Sequence, residues 1–94
     1  MTQPLKAVSA KILGLVQGVG FRAAAQQQAT NLSLCGFIRN ELDNSVYLEV
    51  EGPADAVDTF LSWCQKGPRF AKVSEVSVQD IGPLNYKEFE IHRS

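Results

Sequence analysis

Two features of this chain have the residue types and spacing to do chemistry together: the run Gly14-Leu-Val-Gln-Gly-Val-Gly-Phe-Arg22 and, further on, Asn40. Gly14, Gly18 and Gly20 stand where an apolar, strand-like stretch gives way to a helical pattern. Backbone N–H groups in such a turn can converge on one point, and the unpaired amides of a helix's first turn add to them, which makes a nest for an anion. The glycine spacing matches neither a dinucleotide fingerprint nor a nucleotide P-loop with its Gly-Lys-Ser/Thr. A tight structural turn would read the same way. Arg22 brings a guanidinium fork suited to two oxygens of a phosphate. In a first helical turn it opposes the macrodipole, by roughly 0.3–1 kcal/mol, unless a bound anion or a nearby carboxylate offsets it. Asn40 is either a turn-former or a functional amide at the sheet's edge. Such an amide cannot act as a base at neutral pH, but it can hold a water through donor and acceptor together. Loop, arginine and asparagine together suit hydrolysis of a phosphoryl compound without metal or cofactor.

The elements that must position these groups follow from periodicity. Residues 6–15 alternate as a strand, with Val8, Ala10 and Ile12 on one side and Leu13 and Leu15 on the other. Phe21, Ala25, Ala29 and Leu32 recur at helical spacing and predict a helix over 21–32, whose run Gln26-Gln27-Gln28 is surface. Residues 34–40 and 45–51 read as two strands joined by a hairpin at Asp43-Asn44, residue types that tolerate a left-handed backbone. Period-2 alternation groups Asn40 with Leu34, Gly36 and Ile38 and turns Arg39 to the opposite, solvated face. Val46, Leu48 and Val50 face the core, while Tyr47, Glu49 and Glu51 face away. A second helix opens at Gly52-Pro53, with proline at its first position and Asp55 in its first turn. It buries Val57, Phe60, Leu61 and Cys64 and stops at Gly67-Pro68. Strands over 72–79 and 87–92 complete the chain, the last with Phe89 and Ile91 inward. The order β-α-β-β-α-β plus a short C-terminal strand predicts an α+β, ferredoxin-like α/β sandwich, an antiparallel sheet with two helices on one face. Fold alone assigns no function.

The 94 residues fit a single domain over 1–94, and 45% hydrophobic with 20% charged residues is an ordinary globular balance. Nine basic and ten acidic residues give a net charge of −1. That argues against nucleic-acid binding, which needs a basic face. Phe37 and Tyr47 could imitate the stacking platform of an RNA-binding sheet, but no RNP-type sequence surrounds them. Cys35 and Cys64 lie in no metal-type spacing and are expected to be reduced, inert thiols. No signal peptide or membrane-length apolar run is evident, so a cytoplasmic protein with no membrane association is expected. His92, the only histidine, alternates with Ile91 and is expected at the solvent or the strand edge. Glu75 and Asp80 read as surface acids, and Trp63 as packing.

On these residues the chain resembles the acylphosphatase family. The family's signature G-x-V-Q-G-V-x-F-R is complete from Gly14 to Arg22, and its strand ending in R-N is Gly36-Phe-Ile-Arg-Asn40 at the usual separation. A third pattern, W-x-x-x-G-P-x-x-A-x-V-x-x-V, runs from Trp63 to Val76. The resemblance covers about residues 6–92. It implies a phosphate-binding loop over Val16, Gln17, Gly18, Val19, Gly20 and Phe21, phosphate held by Arg22, and a water oriented by Asn40. It further implies in-line attack of that water on phosphorus, with an acyl phosphate as substrate, inorganic phosphate as product and inhibitor, no cofactor and no metal. A monomer is expected. Three departures stand out: Ala25 where the family commonly has threonine, a small Ala23 after the arginine, and Asp43-Asn44 where Asp-Gly is usual. The first two bear on the turnover rate. Two other readings follow from the same residues: a non-catalytic anion-binding or regulatory module, and a module of a larger carbamoyl-phosphate-processing protein. The chain's length speaks against the second of these.

Overall fold

The computed structural model describes residues 4–93. Along the chain it has β1 (Leu5–Leu15), α1 (Phe21–Asn31), β2 (Cys35–Asn40), β3 (Val46–Pro53), α2 (Ala54–Cys64), β4 (Lys72–Asp80) and β5 (Phe89–Ile91). This is the expected order, with boundaries moved by one or two residues. β3 runs on through Pro53, so the proline caps α2 in an extended conformation (ψ 140°) instead of occupying its first turn, while Asp55 does lie in that turn. The last strand pairs only over its central three residues.

The strands are ordered β4-β1-β3-β2-β5. β1 pairs antiparallel with β3 and β4, and β2 pairs antiparallel with β3, but β2 and β5 are parallel. The sheet is therefore mixed, which corrects the purely antiparallel expectation. The direction of travel explains this. β4 descends beside β1, so the next strand must ascend, and the free edge on the far side is β2, which also ascends.

Both helices pack on one face, over rows of side chains that cross the strands. Val8 stands opposite Val50, Ala10 opposite Leu48 opposite Ile38, and Ile12 opposite Val46 opposite Asn40. All but Asn40 are buried in one cluster with Phe21, Ala25 and Ala29 of α1 and Val57, Phe60 and Cys64 of α2. Leu61 packs at its margin, only partly buried. The alanines of α1 keep the helix close to the sheet. Ala25, fully buried, is a packing position in which a threonine hydroxyl would need a partner. Burial pushes the Cys64 thiol up to about 12, so it stays protonated and inert. Cys35 is also free. Asn40 is thus the polar end of an otherwise apolar row, at the edge of the sheet nearest the start of α1.

Candidate active site

The loop between β1 and α1 is built by alternating anchors and glycines. Val16 and Phe21 are buried at its two ends, and Val19 packs partly against the core. Between them Gly18 (φ 74°) and Gly20 (φ 78°) are exposed in the left-handed region, where an added Cβ would touch nothing within 4 Å. These two glycines serve the loop's backbone shape. Gly14 has a different task. It follows a bulge in the β1–β4 pairing, and a Cβ on it would stand 2.1 Å from the Lys72 carbonyl oxygen. It belongs to the sheet, not to the nest.

α1 begins directly on this loop. Gly20 is its cap and offers no side-chain hydrogen bond, and the first turn holds no acidic residue. The first bond of the helical ladder runs from Ala24 N to Gly20 O at 3.1 Å. The amides ahead of it and the positive end of the helix dipole are left facing the loop. Arg22 sits in that turn, half-buried, and forms no ion pair among the described residues. No carboxylate among the described residues makes it a structural arginine.

A cleft of about 200 Å³ opens at this point, and Gly18, Gly20, Arg22 and Asn40 all line it, with Ala23, Ile91 and Arg93. Val16, Gln17 and Phe21 contribute to its wall, whereas Val19 does not. Val19 turns its side chain toward the core instead. The described residues contain no group of three His, Cys, Asp or Glu side chains able to hold a metal ion.

Gln17 is the loop's link to Asn40. Its side-chain amide donates to Glu41 O and to Ser45 O, both at 2.8 Å. Those carbonyls belong to the β2–β3 hairpin that starts immediately after Asn40. Glu41 N bonds Ser45 O across the hairpin, and Asn44 takes the expected positive φ of 73°. Asp43 bonds the Ser45 amide and hydroxyl and pairs with Lys11 at 2.7 Å. Chiefly the Lys11 ammonium, then Ser45, hold the Asp43 carboxyl well below the usual carboxylate range. A cross-linked hairpin therefore carries the strand end bearing Asn40, and Gln17 ties the glycine loop to it. Sequence reasoning counted Gln17 among the ligand-facing residues. Its donors are spent on the hairpin.

Arg93 and Ile91 were missed as lining residues, although a signal existed. Phe89 and Ile91 face inward, and continuing that alternation by one step turns Arg93 inward too. On the other face, the His92 ring stacks on Phe37 (centroids 4.6 Å apart, 8° between planes) and its Nε2 lies 3.0 Å from Glu90. His92 does not line the cleft. Phe37 is only 6% exposed, flanked by Tyr86 and His92 with the Arg39 guanidinium 5.5 Å away, so it offers no open face to a base. Arg39 itself pairs with Glu41 at 3.1 Å.

Fold and site together define a ferredoxin-like sandwich with a glycine-rich loop at the uncapped start of its first helix, sharing a cleft with an asparagine at the end of the second strand. The family profile described as acylphosphatase matches residues 8–91, and the chain belongs to that family. An acylphosphatase of Azoarcus sp. (strain BH72) is 42% identical over 93 residues, spanning 96% of this chain and 95% of the relative. Among solved structures, an acylphosphatase from Coxiella burnetii superimposes with a TM-score of 0.90 at 30% identity, covering 94% of this chain and 93% of that one. The Bacillus subtilis acylphosphatase gives 0.89 at 33% identity, covering 95% and 99%. No helix among the described residues is long and apolar enough to cross a membrane.

Proposed function

We propose that the protein hydrolyses acyl phosphates to a carboxylate and inorganic phosphate by direct attack of water on phosphorus. One observation carries this reading. Arg22, without a carboxylate partner among the described residues, and Asn40 line the same cleft as the left-handed glycines at an uncapped helix start. The loop amides and the Arg22 fork bind the phosphoryl oxygens. The Asn40 side chain holds the water, accepting one of its protons and donating to its oxygen. The new bond joins water oxygen to phosphorus. The bond from phosphorus to the acyl oxygen breaks, its electron pair leaves with the carboxylate, and the water's proton passes to a phosphoryl oxygen or to solvent. Charge on the equatorial oxygens grows or persists at the cradle, so fixed donors and positioning supply most of the acceleration. A carboxylate is a good leaving group and needs no general acid, which fits a cleft whose charged side chains are arginines.

The test is benzoyl phosphate hydrolysis, followed by absorbance with a chelator present, for wild type, Arg22→Ala and Asn40→Ala. The expected result is turnover by the wild type and a loss of about 10²–10³-fold or more in each variant. Inorganic phosphate should still inhibit Asn40→Ala but not Arg22→Ala. In ¹⁸O-labelled water the label should enter phosphate and not benzoate. Label in benzoate would refute attack on phosphorus. Activity abolished by the chelator would refute the metal-independent scheme, and a wild type that binds phosphate without turnover would leave a binding module.

A further inference from the structure

We infer that Arg93 is a second phosphoryl ligand: with Arg22 it matches the two negative charges of the phosphoryl group, so the cleft selects dianionic tetrahedral ligands over monoanionic ones of the same shape. This rests on the cleft being the acyl-phosphate site.

Arg93 lines the cleft together with Arg22 and Asn40. The chain that delivers it is held from two sides. Gly36 N bonds Glu88 O at 3.1 Å and His92 N bonds Ile38 O at 2.8 Å, while the Gln26 side chain of α1 donates to Phe89 O at 3.1 Å. The bond from His92 to Ile38 falls one residue before Arg93 and two before Asn40, so both residues reach the same margin of the cleft. A space of about 200 Å³ is roughly 7 Å across, shorter than the ~8 Å over which physiological salt screens a charge. The two guanidinium groups therefore act on the same bound anion.

Charge accounting gives the second arginine its task. No carboxylate lines the cleft, and the first turn of α1 holds no acidic residue. The acids nearest in sequence are engaged elsewhere, Glu41 by Arg39 and Glu90 by His92. Among the described residues neither Arg22 nor Arg93 forms an ion pair. The second proton of a phosphate monoester leaves near pH 6, so a phosphoryl group carries close to two negative charges in neutral solution. Arg22 offsets one of them, and the start of α1 counts for roughly half a charge more. The remainder falls to Arg93. Two guanidinium groups gathered in one small cleft also repel each other, and a dianion relieves both. Arg93 is exposed, so the attraction is screened by water and salt and its effect is moderate.

Methyl phosphate and methyl sulfate separate charge from shape, because at pH 8 they are alike in form and differ by one charge. Calorimetry measures the binding of both, and of inorganic phosphate, to wild type, Arg93→Gln, Arg93→Lys and Arg93→Glu, with no turnover needed. Arg93→Gln should bind methyl phosphate and inorganic phosphate about five-fold more weakly. Coulomb energy scales with the charge of the ligand, so methyl sulfate should lose only about two-fold. Arg93→Lys should keep most of the preference for the dianion, Arg93→Glu should fall below Arg93→Gln, and added salt should shrink the preference of the wild type. A loss of about five-fold should also appear in kcat/KM for benzoyl phosphate. Unchanged methyl phosphate affinity in Arg93→Gln overturns the inference, and so does an equal loss on both anions, which would give Arg93 no part in reading charge. Arg93→Lys no better than Arg93→Gln overturns it as well. A wild type that shows the preference, and loses it in Arg93→Gln, without hydrolysing benzoyl phosphate would refute the reaction while upholding the role of Arg93.

Discussion

Replacing Gln17 with alanine should cost both stability and activity, for one structural reason. Two hydrogen bonds of 2.8 Å from the side-chain amide join the glycine loop to the hairpin. At about 0.5–1.5 kcal/mol net apiece, their loss amounts to roughly 1–3 kcal/mol. The site is only part-buried, so water reaches the freed carbonyls, and the rotamer freedom that glutamine gives up is also recovered. The lower half of the range, about 1–2 kcal/mol, is therefore expected. For a chain of this size that lowers the melting temperature by about 4–16 °C. In the proposed mechanism the loop binds the phosphoryl group and Asn40, just before the hairpin, holds the water, so a loosened tie would let the two drift apart. A misplacement of about 1 Å can cost on the order of 10²-fold in rate. Phosphate binding should weaken far less, because the loop amides and Arg22 remain. Gln17→Glu sharpens the test. It keeps the side chain's size but sets a carboxylate against two carbonyl oxygens and beside an anion site, so it should be worse than alanine in stability and in rate. Urea unfolding, benzoyl phosphate kinetics and phosphate inhibition of the three proteins decide the matter. A Gln17→Ala protein of unchanged stability that has lost phosphate affinity would refute the tie and make Gln17 a direct ligand.

Gly14→Ala and Gly18→Ala should part company. The first drives a Cβ to within 2.1 Å of a backbone oxygen and should abolish folding or lower stability by more than about 3 kcal/mol, whereas the second meets open space and should lose only the roughly 1–2 kcal/mol of left-handed strain. Because Gly18 shapes the cleft, its variant should lose activity out of proportion to its stability, as paired melting and kinetic measurements would show. Asp43 should give the hairpin an acid limit. Its carboxyl titrates lower in the folded chain than in the unfolded one, so its stabilising contribution is complete above about pH 4 and is lost as pH falls through the folded value. The gap in urea midpoint between wild type and Asp43→Asn should be full at pH 6 and close toward pH 2. A gap that does not change with pH would refute the assignment.

The sheet and helices were legible because their signals are local and redundant. The row Val46, Leu48, Val50 and the spacing Phe21, Ala25, Ala29 each state one face several times over, and each face is buried as read. The parallel edge was harder to see. Period-2 alternation tells which side of a strand is buried but not which neighbour it meets, and β5 is too short to announce a partner. The site divides in the same way. Arg22 and Asn40 stood out because each breaks a local rule, a cation in a first helical turn and an amide on an apolar row.

Gln17 and Arg93 break no local rule, and for that reason the sequence hides what they do. A glutamine in a glycine-rich loop is unremarked until the carbonyls of Glu41 and Ser45 are seen across from its amide. An arginine near the end of the chain reads as a solvated charge until it is seen lining the same cleft as Arg22 and Asn40. The two residues bear on different properties of one site. The bonds made by Gln17 lie within the fold and join the glycine loop to the hairpin after Asn40, so under the proposed mechanism they govern the precision with which any acyl phosphate is attacked. Arg93 lines the cleft with Arg22 and forms no ion pair among the described residues, so it adds positive charge where the proposed mechanism places the phosphoryl group. Loss of Gln17 should therefore lower kcat for every acyl phosphate alike, while loss of Arg93 should weaken inhibition by inorganic phosphate.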